Sequence, residues 1–187
     1  HPQVVYVGLS RTVSGTLQSA EHAAARSDAA KIRVFDSVNA AGGQGLLTWR
    51  AAELADAGAD ADAILRELER LRPLTLTWAM ARDIAHAVRG GRIPGWAEPV
   101  VRFSGLTPVA KVKPDGTLGL AGGLIAKARA PEAFAAYVAK RVRKSLALKS
   151  LGHAARLRAI IGHCDALADG ERLLAALQER LDLVEAH

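Results

Sequence analysis

The sequence predicts an α/β protein of two α/β domains, the first with a partial parallel sheet and the second a smaller mixed sheet with helices. Three observations carry that reading. Short β-branched runs at Val4–Leu9 and Ile32–Phe35 alternate with longer helical stretches, the pattern of a parallel sheet with right-handed crossovers. Arg72-Pro73 breaks the helical pattern and sets a domain boundary between residues 1–73 and 74–187. Further on, Pro114-Asp115-Gly116 separates two strand-like runs, a hairpin signal in which Pro presets the turn and Gly supplies positive φ.

Taken in order, Val4–Leu9 (VVYVGL) is a buried strand, followed by SRTVSGT and a helix from about Leu17 to Arg26. Ile32–Phe35 is a second buried strand, closed by Asp36 and Ser37. A helix from about Ala40 to Gly58 carries Leu46, Leu47, Trp49, Ala51 and Leu54 in its apolar stripe. The next, capped by Asp60 or Asp62, places Ile64, Leu65, Leu68 and Leu71 at helical spacing. Beyond Pro73, Leu74–Met80 reads as a strand, a short helix ends at Gly90-Gly91, and Pro94, Gly95 and Pro99 make an irregular stretch before another short helix. The hairpin strands are Pro108–Val112 and Thr117–Leu120. Pro131 starts a helix with Phe134, Tyr137, Val138 and Val142 on its apolar side. Leu157–Gly162 is a strand, Asp169–Arg180 a helix and Leu181–Ala186 a last strand.

Half of the 187 residues are apolar but only 4% are aromatic, so the core, and any pocket it encloses, is expected to be aliphatic. The net charge of +6 is concentrated late, at Lys140, Arg141, Arg143, Lys144, Lys149, Arg156 and Arg158. No aromatic platform accompanies these cations, so a solvated helix end is favoured over a nucleic-acid surface, and membrane contact is expected only transiently. Cys164 is the only cysteine, which excludes an internal disulfide and suits the cytoplasm. No apolar run approaches the ~20 residues that span a bilayer.

Three constellations carry polar chemistry. In SRTVSGT, Ser14, Gly15 and Thr16 sit where a helix begins, and free backbone N–H groups there favour an anion. Hydroxyls of Ser10, Thr12, Ser14 or Thr16 can add donors to a carboxylate or phosphate, and the same residues also suit a plain helix cap by Ser14 or Thr16. The spacing is neither a phosphate-binding P-loop nor GxGxxG, which argues against a nucleotide. In RGGRI (89–93), Arg89 and Arg92 can meet a carboxylate, a phosphate or an acidic partner, although a glycine cap with exposed cations explains the motif equally simply. In GHCD (162–165), adjacent side chains of a strand point to opposite faces, so His163, Cys164 and Asp165 do not make a metal site, and none is expected. No GxSxG elbow or recognisable triad is present, and no catalytic residue is assigned.

Together these stretches resemble the DegV family, which includes the fatty-acid-binding subunits of bacterial fatty acid kinase. The resemblance rests on GLSRTVSGTLQSA (8–20), IRVFDSVNAAGGQGLL (32–47), RGGRI (89–93), TPVAKVKPDGT (107–117) and IIGHCDALADGERLLAALQERL (160–181), in family order. It implies two α/β domains that hold a long-chain fatty acid in an aliphatic tunnel. The carboxylate is bound through hydroxyls, one of them from the SGT loop. Ser14 is the closest match for that hydroxyl and Ser10 the second, with Gly15 and Thr16 completing the site. The acid is then presented to the kinase catalytic subunit, for which Arg89, Arg92 and Arg129 are the expected contacts, and the chain itself needs no cofactor and performs no catalysis.

Departures from the family pattern shape these expectations. The family arginine of a KVRG-like stretch is Ile125 here, with Lys127 or Arg129 available to substitute, and Pro94–Leu106 replaces a GxLLxxKP pattern. The chain is expected to be truncated, lacking the usual DST and TSQPS segments before it and a GPG-like segment after it. Two other readings are a domain of a dihydroxyacetone-kinase-like phosphoryl-transfer enzyme and a structural remnant without ligand. The first lacks a phosphate loop or paired carboxylates to hold nucleotide and Mg²⁺.

Overall fold

In the computed structural model, residues 3–28, 31–125, 128–148 and 156–186 are described, and they cluster into two compact units. One comprises His1–Thr77 with Lys111–Gly119, the other Trp78–Ala110 with Leu120–His187.

The first unit begins with β1 (Val4–Gly8), α1 (Thr16–Arg26) and β2 (Ile32–Asp36). β1 and β2 pair in parallel with Val4 opposite Ile32 and Gly8 opposite Asp36, so both strands stop at the same level. A parallel pair cannot be closed by a tight turn, and α1 supplies the crossover. Leu17 of α1 is fully buried, and a Cβ on Gly8 would collide with its side chain. Two helices complete the unit, α2 (Ala41–Asp56) and α3 (Ala61–Leu71). Asp60 caps α3 as expected, its Oδ1 accepting the Ala63 N–H at 2.7 Å. The predicted stripes meet in one aliphatic core of Val7, Phe35, Leu47, Ala51, Ile64 and Leu68. Over its edge, the Arg72 guanidinium stacks on Phe35 at 5.3 Å and donates to the Asp36 carbonyl.

The strand expected at Leu74–Met80 is shorter, because Arg72–Leu74 forms a 3-10 turn around Pro73 and Thr75 Oγ1 donates back to the Leu71 carbonyl. β3 therefore covers only Trp78–Met80. After it come α4 (Ala85–Arg89), α5 (Ala97–Ser104), β4 (Thr107–Val112), β5 (Leu118–Leu124) and α6 (Ala130–Leu148). The chain continues through β6 (Leu157–Ala159), α7 (Leu167–Gln178) and β7 (Leu183–Ala186). Strand β6 stops three residues before the expected Gly162.

The strand order is β3-β4-β5. Hydrogen bonds from the Val112 N–H to the Thr77 carbonyl and from the Ala81 N–H to the Pro108 carbonyl pair rising numbers in β3 with falling numbers in β4, so the two strands are antiparallel. β4 and β5 form the predicted hairpin, closed by Lys113 N–H to the Thr117 carbonyl at 2.8 Å. Asp115 Oδ1 accepts both the amide and the hydroxyl of Thr117 inside the turn. β6 and β7 make a separate parallel pair. In the second unit Val109, Leu124 and Phe134 form one cluster, and Ala135, Ala176 and Leu177 a second where α6 packs on α7. Small alanines let the two helix backbones approach. Three of the late cations make local contacts, while Lys140, Lys144 and Arg156 are exposed. Arg141 stacks on Tyr137, Arg143 donates to the Arg180 carbonyl and Arg158 pairs with Glu185, whereas Lys149 lies outside the described residues.

Candidate functional site

Because β1 and β2 end level with each other, the loops that follow them, residues 9–15 and 37–40, leave from the same edge of the sheet. Ligands of open α/β sheets bind at this carboxyl end, where the next helices begin. Neither α1 nor α2 has a side-chain cap bond or an acidic residue in its first turn. Their opening amides thus leave a positive dipole end facing no carboxylate of the same helix.

The serine loop is tied down from several directions. Ser10 N–H donates to the Asn39 carbonyl at 2.8 Å, and the Ser10 carbonyl accepts the Val13 and Ser14 amides, which folds SRTVS into a turn. Arg11 latches the outside, its Nε on Asp36 Oδ2 at 3.0 Å and its Nη2 on Glu21 Oε1 at 2.9 Å. Those hydrogen bonds, Asp36 first, hold the Arg11 guanidinium above the usual arginine range. Asp36 Oδ1 meanwhile accepts the Val38 amide.

Ser10, Ser14, Gly15 and Thr16 are therefore gathered in one turn, but they do different things. Ser10 is 1% exposed, and its Oγ shares a hydrogen bond with Thr12 Oγ1 at 2.9 Å. Ser14 is half-buried, and its Oγ accepts from the Thr16 amide at 3.3 Å and the Thr16 hydroxyl at 3.2 Å. A hydroxyl that accepts twice still has its own hydrogen to give, so Ser14 can donate to an anion. Gly15 and Thr16 are exposed, and Gly15 takes the N-cap position that the sequence suggested for Ser14 or Thr16.

Several residues of this edge lie within the 32–47 stretch but had no role assigned from the sequence. Asn39 is 3% exposed and Ser37 fully buried. Ser37 Oγ accepts the Asn39 amide and donates to the Asn39 carbonyl. The Asn39 side chain reaches Thr75 and Thr77, and Gln44 Nε2 donates to the Val7 carbonyl at the strand end. The hairpin tip also packs here. Gly116, at φ 82°, lies so close to Ser10 that a Cβ would collide with Ser10 Oγ and crowd Val38. Gly116→Ala is expected to strain the left-handed backbone by about 1–2 kcal/mol and lift the tip from Ser10. Faster hydrogen exchange at the Gly116 amide, bonded to the Lys113 carbonyl in the native turn, is the check.

The arginines expected to meet a partner lie in the second unit. Arg89, Arg92 and Arg129 are all exposed. Arg89 Nη2 contacts His86 Nδ1 at 3.0 Å, Arg92 Nη1 donates to the Gly90 carbonyl, and Arg129 precedes α6 with its carbonyl accepting the Ala133 amide. Arg89 closes α4 and Arg92 follows it three residues on, whereas Arg129 lies in the turn before α6. Ile125 is 88% exposed, and Lys127 lies outside the described residues. Nearby, Arg172 grips Glu132 through two nitrogens and also donates to the Ala128 carbonyl. Glu132 is held below the usual carboxylate range, first by its own backbone amide and then by Arg172. In GHCD, His163 Nδ1 accepts the Ala166 amide at the start of α7, and Cys164 is exposed. No helix among the described residues is long and apolar enough to cross a membrane.

A family model described as "Uncharacterised protein, DegV family" matches residues 1–187. A DegV domain-containing protein of Lactococcus lactis is 32% identical over 120 residues, 62% of this chain and 42% of that protein. Among solved structures, the chain is similar to a fatty-acid-binding DegV family protein from Thermus thermophilus, at 28% identity and TM-score 0.67, covering 99% of this chain and 62% of that one. It is also similar in fold to the fatty acid kinase B3 protein of Streptococcus pneumoniae loaded with linoleic acid. There the identity is 18% and the TM-score 0.81, over 99% of this chain and 63% of the other. The chain thus spans from under half to under two thirds of the length of these relatives.

Proposed function

The chain belongs to the DegV family, and from that membership we propose that it binds a long-chain fatty acid without transforming it, gripping the carboxylate at the serine turn between β1 and α1. The observation that carries this reading is the Ser14 hydroxyl. Thr16 satisfies it as an acceptor, its donor hydrogen remains available, and it stands at the start of a helix whose first turn holds no acidic residue. A carboxylate there meets a charge-assisted donor and a favourable dipole end. The similar proteins of Thermus thermophilus and Streptococcus pneumoniae support the choice of acid, since the first is described as fatty-acid binding and the second holds linoleic acid.

Affinity in this reading comes from the tail. Each buried CH₂ contributes about 0.8 kcal/mol, so the aliphatic slot supplies most of the binding and the polar turn orients the head. Ser14 leads the site, with Gly15 supplying a helix-start amide and Thr16 orienting the Ser14 hydroxyl through its own amide and hydroxyl. Ser10, buried beneath the hairpin tip, supports the turn and is the second hydroxyl within it.

The finer part of the proposal is presentation. Exposed Arg89 and Arg92, with Arg129 in place of the family arginine, are the surface offered to a kinase catalytic subunit that phosphorylates the bound carboxylate. The fold-level likeness to the fatty acid kinase B3 protein supports this choice of partner. The chain contributes no catalytic group, holds no cofactor beyond its ligand and works in the cytoplasm.

Organic extraction of the natively purified protein followed by mass spectrometry tests the reading. Stoichiometric long-chain acyl species are expected. Protein that yields none, and takes up none on titration, would contradict it.

A further inference from the structure

The serine turn is closed by the Ser10 carbonyl and latched outside by Arg11, and it is also tied to Asn39 on the opposite loop. The Asn39 carbonyl accepts Ser10 N–H at 2.8 Å and the Ser37 hydroxyl at 3.2 Å, while its amide donates to Ser37 Oγ at 3.1 Å. Its side chain works in the other direction. Oδ1 accepts the Thr77 hydroxyl at 2.7 Å and the Ala40 amide at 3.0 Å, and Nδ2 donates to the Thr75 carbonyl at 3.1 Å. Gly43, one turn into α2, has no room for a Cβ against Asn39 Oδ1 and Thr77 Oγ1, so the helix start is packed directly on this amide.

The backbone on both sides of Asn39 is held in the left-handed region, Val38 at φ 50° and Ala41 at φ 47°. A β-branched residue rarely adopts such a conformation, and it persists only where the surroundings over-determine it. Here the surroundings are the Asn39 bonds, the Asp36 Oδ1 bond to the Val38 amide and the hairpin tip beside Val38. Such strained positions cluster at active sites and ligand clamps.

We propose that Asn39 is a positioning residue for the carboxylate grip: through its carbonyl it sets the Ser10–Ser14 turn, and through its side chain it sets the start of α2. This rests on the fatty-acid reading above. Asn39 itself is buried and acts on the ligand only through the residues it holds.

The test uses the full chain with two ligands of equal length, a long-chain fatty acid and the matching fatty alcohol. Two variants are compared with the unsubstituted protein. Asn39→Ala removes the whole side-chain network, and Thr77→Val, which is nearly isosteric, removes only the hydroxyl that donates to Asn39 Oδ1. Each is expected to weaken binding of the acid about tenfold, the loss of one hydrogen bond to a charged group, while binding of the alcohol changes less than twofold. A residue that merely maintains the fold would shift both ligands together. Equal losses for acid and alcohol, or unchanged acid binding by folded variants, would overturn the role. Should Asn39→Ala fail to fold, Thr77→Val decides alone. Unsubstituted protein that binds neither ligand would sink the fatty-acid reading itself, and this role with it.

Discussion

Ser14→Ala lowers the affinity for a long-chain fatty acid roughly ten- to 150-fold, the equivalent of about 1.5–3 kcal/mol for one hydrogen bond to a charged group. The size follows from the surroundings of the hydroxyl. Thr16 already donates to Ser14 Oγ from its amide and its side chain, so the one hydrogen that Ser14 can still direct is the one the ligand would receive. Removing it leaves the carboxylate with helix-start amides alone. The fold should barely notice, because Ser14 is half-buried and the Thr16 amide it releases lies in an exposed residue that water can reach. Calorimetric titration, read beside a thermal melt that stays in place, checks both halves. Unchanged affinity would remove Ser14 from the site.

The largest effect on stability is expected at Leu68. This side chain is fully buried on α3, within the cluster that also holds Val7, Phe35, Leu47, Ala51 and Ile64. Leu68→Ala forfeits transfer energy and leaves a cavity, costing about 2–5 kcal/mol. The consequence reaches the candidate site through the strands, since Val7 and Phe35 lie one residue before the ends of β1 and β2. Denaturant unfolding should show a lower midpoint with a similar slope. A stability loss of less than about 1 kcal/mol would mean that this core is more plastic than its burial indicates.

Much of this architecture was legible because local pattern and global fold agree. The β-branched runs, the Asp60 cap and the Pro114-Asp115-Gly116 turn each announce their structure within a few residues, although β1, expected to be buried, leaves Val4 and Tyr6 exposed. What stayed hidden depends on residues far apart in the chain. Asn39 meets Thr75 and Thr77 across 36 and 38 positions, and no local signal marks such a pairing. The packing of Gly116 against Ser10 is equally remote, although the glycine itself was readable from its turn. Ser10 and Ser14 look alike in sequence, two hydroxyls in one loop before a helix. Only the folded chain shows that one is buried under the hairpin tip and the other can still donate. The shortened β3 has a local cause, the 3-10 turn around Pro73, which the alternating LTLTWAM pattern obscured.

The central claim, that the serine turn grips an acid head, is tested most directly by a crystal structure of the protein with a bound long-chain fatty acid. The account predicts a carboxylate oxygen about 2.5–3.0 Å from Ser14 Oγ, at the start of α1. An acyl chain whose carboxylate sits elsewhere, with the Ser14 hydroxyl turned to solvent, would contradict it.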